Sequence, residues 1–141
     1  MLRWNRSNDS TEMGENDRVY DNARLNRLRA DFKTCSAALA AIGDETRQLI
    51  VTALIEAGCD GMRVGQITER THLSRPAVSH HLKILRDAGI VGLYKAGTKH
   101  FYYLDSSGTI VDLKRLVENM ERLVLEALAQ RGEEKQNERT E

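Results

Sequence analysis

Residues 64–89 read VGQITERTHLSRPAVSHHLKILRDAG, and residues 90–104 continue IVGLYKAGTKHFYYL. Val64 and Ile67 supply the apolar side of a short first helix, and Thr71-His72-Leu73 makes a turn. Ser74 follows at the position where a hydroxyl accepts the orphan N–H groups of a new helix. Pro76 falls in that helix's first turn, where its missing N–H costs little. Val78, Leu82 and Leu85 then recur at helical spacing and define a buried stripe. Arg75, Ser79, His80, Lys83 and Arg86 lie mainly off the stripe, so a cationic, hydrogen-bonding face points outward. Gly89 stops the helix.

Two short runs rich in β-formers come next, Ile90–Lys95 and Lys99–Leu104. Ala96-Gly97-Thr98 lies between them, and Gly97 can supply a turn position with φ > 0. Lys95 and Lys99 flank the tip. Helix, tight turn, cationic helix and basic-tipped ribbon together predict a mainly α fold with a small β-hairpin, a winged helix-turn-helix. In such a fold the second helix enters the DNA major groove. Arg75, Ser79 and His80 are the candidates for base edges. Lys83, Lys95 and Lys99 are the candidates for phosphates, and Ser74 and Thr98 complete the DNA-binding set. A bare αα-corner has similar helix spacing, but it carries no ribbon at this distance.

The net charge of the 141-residue chain is zero, yet the charge is unevenly placed. Residues 62–104 hold seven Lys/Arg against two Asp/Glu, whereas the segments before and after are net −2 and −3. A phosphate backbone requires that local excess, whatever the total. A solvated basic surface is the blander reading, but these charges fall on the two elements that meet DNA. The 40% hydrophobic content suffices for one domain's core. No apolar run reaches transmembrane length and no secretory segment opens the chain, so the expectation is a cytoplasmic protein without membrane contact. No phosphate-binding glycine loop, nucleophile–base grouping or carboxylate pair in an apolar setting suggests an enzyme, and no cofactor is expected.

Residues 1–17 are polar and aperiodic and read as a disordered extension. Residues 18–131 read as the domain, and residues 132–141 as a disordered tail. Within the domain, Leu25, Leu28, Phe32, Cys35, Leu39 and Ile42 form a narrow seam on one long helix or two consecutive ones. Asp44 is placed to cap a helix running to about Ala57, with Leu49, Ile50, Ala53 and Leu54 inward. After the ribbon, Ile110, Leu113, Val117, Met120, Val124 and Ala127 follow a 3-4 spacing, widened by Leu116, Leu123 and Leu128. A helix this long and apolar is poorly covered by a domain of this size. The expectation is a homodimer built on Leu25, Leu28, Phe32, Ile110, Leu113, Val117, Met120 and Val124. The competing arrangement folds the helix back on its own domain.

Three stretches resemble one known family. Leu39–Arg47, LAAIGDETR, resembles the "ALGDPTR" opening of the ArsR/SmtB family. Leu73–Val91 resembles that family's "LSQSTVSHHLKVLREAGLV", and Gly97–Leu104 resembles its wing, "GRxxYYxL". The resemblance spans about residues 33–128. It implies a homodimeric winged-helix repressor joined through its first and last helices. The family's metal sensors commonly carry Cys-Val-Cys on the first helix of the helix-turn-helix, where this chain has Met62-Arg63-Val64-Gly65. Others use Asp and His on the last helix, where this chain has Asp112 and Glu118 but no histidine over 109–131. No metal site is therefore expected.

Adjacent His80 and His81 project about 100° apart on a helix and chelate one metal poorly. His81 leans inward as a structural histidine; phosphate contact or plain exposure explains His72 and His100. Cys35 and Cys59 are the only two cysteines. If the chain reverses at Gly43-Asp44 they approach one another, and a redox-sensing dithiol becomes possible. Two small packing residues are the alternative. The sequence thus reads as a regulator, a repressor by preference, binding an inverted-repeat double-stranded operator, with no effector assigned. A winged-helix protein-interaction module is the rival, and the +5 concentration weighs against it.

Overall fold

The computed structural model describes residues 22–140, so the extension read over 1–17 lies outside the described residues. Six α-helices and one hairpin follow in the order α1 (Asn22–Thr34), α2 (Ser36–Ile42), α3 (Glu45–Ala57), α4 (Val64–Thr71), α5 (Arg75–Asp87), β1 (Val91–Ala96), β2 (Lys99–Leu104) and α6 (Thr109–Thr140). A single 3₁₀ turn, Gly58–Asp60, links α3 to α4.

The core lies among α2, α3, α4, α5 and the base of the hairpin. Ile50, Leu54, Ile67, Val78, Leu82, Leu85 and Ile90 are fully buried in it. Local chemistry sets the helix starts. Asp44 Oδ1 accepts the Arg47 N–H at 2.9 Å at the head of α3, and Ser74 Oγ accepts the Ala77 N–H at 3.3 Å at the head of α5. His72 closes α4 in the left-handed region, φ 58°, a conformation that a single polar residue tolerates at a helix end.

The seam over 25–42 divides. Helix breaks at Cys35, and the small residues Cys35, Ala38 and Ala41 turn inward, leaving Phe32, Leu39 and Ile42 partly in solvent. Of the four residues expected inward on α3, Ile50, Ala53 and Leu54 are buried, but Leu49 is 54% exposed. Leu49 adjoins Ile50 in sequence, so at about 100° per residue it projects off the buried face.

The last helix folds back on its own domain and leaves part of its apolar stripe exposed. Leu116 and Leu123 are buried and Leu113 joins the core, so α6 folds back on its own chain. Helix α1 packs along it, with Arg24 reaching Glu126 and Asn119 Nδ2 donating to Asp31 Oδ2 at 3.1 Å. Leu25 and Leu28 are thereby half-covered within one chain, and Leu113 is covered by its own domain rather than left for a partner. Val117, Met120, Val124 and Leu128 stay between 41% and 60% exposed. The tail expected to be disordered over 132–141 is instead helical to Thr140. Its Glu, Lys, Gln and Arg are strong helix formers, and a helix already nucleated propagates cheaply. Polarity there opposes burial, not helix.

Candidate nucleic-acid interface

The candidate DNA-contacting surface is assembled by α4, α5 and the hairpin. On α5, the buried stripe Val78, Leu82 and Leu85 anchors the helix, and Arg75, Ser79, His80 and Lys83 are all exposed. Arg75, Ser79 and Lys83 fall at steps of four, which puts them in one row along the helix.

The hairpin is antiparallel, with Val91 opposite Leu104 and Ala96 opposite Lys99. Gly97 and Thr98 form the two-residue tip, where Gly97 adopts φ +64°, the value such tight turns demand. Lys95, Thr98 and Lys99 are exposed there, and Lys95 stands opposite His100 across the strands. On one face of the ribbon Tyr94 stacks on Phe101, with ring centroids 5.2 Å apart, and Tyr94 donates its hydroxyl proton to the Asp60 carbonyl at 2.6 Å.

The linker before α4 is also bound to the hairpin. Met62 and Tyr102 exchange two backbone hydrogen bonds of 2.8 Å. A side chain at Gly61 has no room, because its Cβ would stand 2.4 Å from the Tyr102 carbonyl oxygen.

A groove runs between α4, the start of α5 and the hairpin tip. Arg63, Gln66, Arg75, Thr98, Lys99 and His100 line it. It therefore brings together Arg75, Thr98 and Lys99 from the expected set, while Ser79, His80 and Lys83 continue along α5. Ser74 is the cap of α5, its hydroxyl engaged with Ala77. Arg63 and Gln66 are lining residues the sequence reading assigned no role. Arg63 stands immediately before α4, and the Met62–Tyr102 pairing brings it beside the hairpin. Gln66 Oε1 accepts the Arg63 N–H at 2.9 Å.

Of the two readings of the thiols, sensor pair or packing residues, the geometry favours packing for Cys35. Both are free; Cys35 is buried and Cys59 exposed. Burial, then the nearby Asp112 and Asp31 carboxylates, push the Cys35 thiol above its ordinary pKa, the opposite of thiolate activation. The turn holding Cys59 packs on α3 and β2 and meets neither α1 nor α2, the helices on either side of Cys35. Helix α2 rises about 10 Å and α3 about 20 Å, so the end of α3 overshoots the start of α2. Among the described residues no three His, Cys, Asp or Glu side chains gather as a metal site requires.

A family model described as bacterial regulatory protein, arsR family, matches residues 44–92, from the cap of α3 into the hairpin. An HTH-type transcriptional regulator of Methanocaldococcus jannaschii is 40% identical over 73 residues, 52% of this chain and 80% of the relative. The chain belongs to the arsR family. Two other relatives show the range of regulators it resembles. The transcriptional repressor SdpR of Bacillus subtilis is 36% identical over 67 residues, covering 48% of this chain and 71% of the relative. The transcriptional activator HlyU of Vibrio cholerae is 33% identical over 103 residues, covering 73% and 89%. An ArsR-like transcriptional regulator from Rhodococcus sp. RHA1 superposes with a TM-score of 0.63 at 25% identity, over 80% of this chain and 97% of that one. As an arsR-family member the chain is a winged helix-turn-helix transcriptional regulator that binds DNA. No helix among the described residues is long and apolar enough to cross a membrane.

Proposed function

We propose that two copies of this chain bind an inverted-repeat operator and repress transcription by occluding the promoter. The observation that carries this reading is the row Arg75, Ser79 and Lys83 on α5, open to solvent beside a hairpin tip bearing Lys95, Thr98 and Lys99. Arg75, Ser79 and His80 approach base edges, and Lys83, Lys95 and Lys99 hold phosphates.

Dimerisation is supported by the exposed stripe Val117, Met120, Val124 and Leu128 on α6, together with Phe32 on α1. A contiguous apolar surface of this kind marks an interaction site, and a second copy covers it isologously. Ile110 stands at the head of α6, half-buried, where it flanks that surface.

The test is enrichment of duplexes from a randomised pool by the purified chain, followed by gel shift with competitor DNA. The enriched duplex is then placed over a promoter driving a reporter. Enrichment of an inverted repeat and reduced reporter output are expected. Failure to enrich any duplex overturns sequence-specific binding, and raised output overturns repression.

A further inference from the structure

One guanidinium ties the helix beneath the outer layer to the back of the reading helix. The last four carbonyls of an α-helix have no partner within it. At the end of α2 all four are nonetheless satisfied. Leu39 O accepts the Gly43 N–H at 3.0 Å. Ala40 O and Ala41 O accept from Arg47 Nη2 at 3.3 Å and Arg47 Nε at 2.7 Å, and Ile42 O accepts from Gln48 Nε2 at 2.8 Å. The remaining arm of Arg47, Nη1, lies 3.4 Å from His81 Nδ1 on α5. A guanidinium only donates, so a hydrogen bond at this contact takes His81 Nδ1 as the acceptor.

His81 is two residues from both Ser79 and Lys83, so at about 100° per residue it projects from the opposite side of α5. Arg47 therefore grips the recognition helix from behind without reaching the DNA face. Its own orientation is fixed in turn, because its backbone N–H is held by Asp44 Oδ1 at 2.9 Å. Helix α2 packs on α1 and α6 and also on α3 and α5.

We propose that Arg47 is the positioning residue for the reading helix, passing displacements of the α1–α2–α6 layer to α5 through His81. The inference rests on the dimeric operator reading, since the pose of α5 relative to that layer sets the distance between the two reading helices. A lysine at position 47 keeps the charge but lacks the fork that engages two carbonyls and a ring nitrogen together.

The experiment uses the full chain and a duplex series derived from the one the wild type enriches, with the spacer between half-sites varied base pair by base pair, plus a single half-site duplex. Arg47→Lys and His81→Ala are each expected to cost about tenfold on the best spacer. Both should flatten the spacer preference, with half-site affinity nearly unchanged. The double variant should lose no more than either single one. His81→Asn, which keeps an acceptor near the Nδ1 position, should retain the spacer preference. Equal weakening on half-site and full duplex, or an unaltered spacer profile, overturns the proposal.

A DNA-free measurement separates this from failure of the dimer reading. In amide NMR spectra, Arg47→Lys and His81→Ala should shift the same residues along the back of α5. If the wild type shows no spacer preference, the dimeric operator reading falls. The positioning role then stands or falls on whether Arg47→Lys moves the α5 resonances.

Discussion

In the α4–α5–hairpin unit the aliphatic stripe Ile67, Val78, Leu82 and Leu85 is buried outright by the same chain. In the α1–α6 layer an equally regular stripe, Val117, Met120, Val124 and Leu128, faces solvent. Both regions use apolar side chains at helical steps of three and four. Their difference is one of closure: the first is complete within a single copy, and the second presents two apolar faces, of which the chain covers one. Amphipathic periodicity identifies a surface that needs cover but not whose atoms supply it.

Adjacent residues on α6 give the largest test of that contrast. Leu116→Ala removes a buried side chain and should cost about 2–5 kcal/mol in urea unfolding, at any protein concentration. Val117→Glu should leave the single chain's stability within about 0.5 kcal/mol, while sedimentation shows the micromolar wild-type dimer converted to monomers. Wild-type monomers at that concentration would remove the idea that the second face is an interface.

On the reading unit, Arg75→Ala should cost about 1–3 kcal/mol of operator affinity and relax base preference, measured by gel shift on point-substituted duplexes. Lys99→Ala is the gentler change. It should weaken binding to all duplexes alike and reduce the slope of log affinity against log salt by about one. Base selectivity lost at Lys99 rather than Arg75 would reverse the assignment of roles between hairpin and helix.

The thiols sample the two regions directly. In the folded protein Cys59 should react quickly with a thiol reagent, and Cys35 only after unfolding. Mass spectrometry after oxidation should find no 35–59 link, and such a link would restore the sensor pair.

The smallest effect is expected at Asp44, the cap of α3 between the two regions in sequence. The Arg47 backbone N–H, chiefly, holds its carboxyl below the usual aspartate range. A lowered folded pKa contributes stability that is present above the unfolded value and lost as pH falls through the folded one. Urea midpoints of wild type and Asp44→Asn should therefore differ near neutrality and converge in acid. A gap that widens in acid would contradict the sign.

The reading unit was legible because its signals are local. Ser74, Pro76 and Gly97 act within a turn of their own position, and the 78-82-85 spacing lies inside one helix. What escaped was decided between elements. The break at Cys35 has no Gly or Pro to announce it, and the small residues Cys35, Ala38 and Ala41 are the ones that turn inward beside it. Leu49 has the polarity of a core residue, but neighbouring Ile50 takes the buried side. Arg63 and Gln66 reach the groove through the Met62–Tyr102 pairing, forty residues apart in sequence. His81 was legible as inward-leaning, yet its partner Arg47, 34 residues earlier, was not. For the thiols, helix lengths, and not the reversal alone, fix which residues meet.

The pairing of Met62 with Tyr102 has a mechanical consequence. It makes the α3–α4 linker a third rail of the hairpin, and the bond from Tyr94 to Asp60 adds a rivet on the outer side. The hairpin base and the linker that leads into α4 are thus joined by backbone and side-chain bonds alike. Tyr102 therefore has backbone neighbours on both sides, Leu93 of β1 and Met62 of the linker, so the wing is held to the approach to α4 by main-chain bonds rather than by side chains alone.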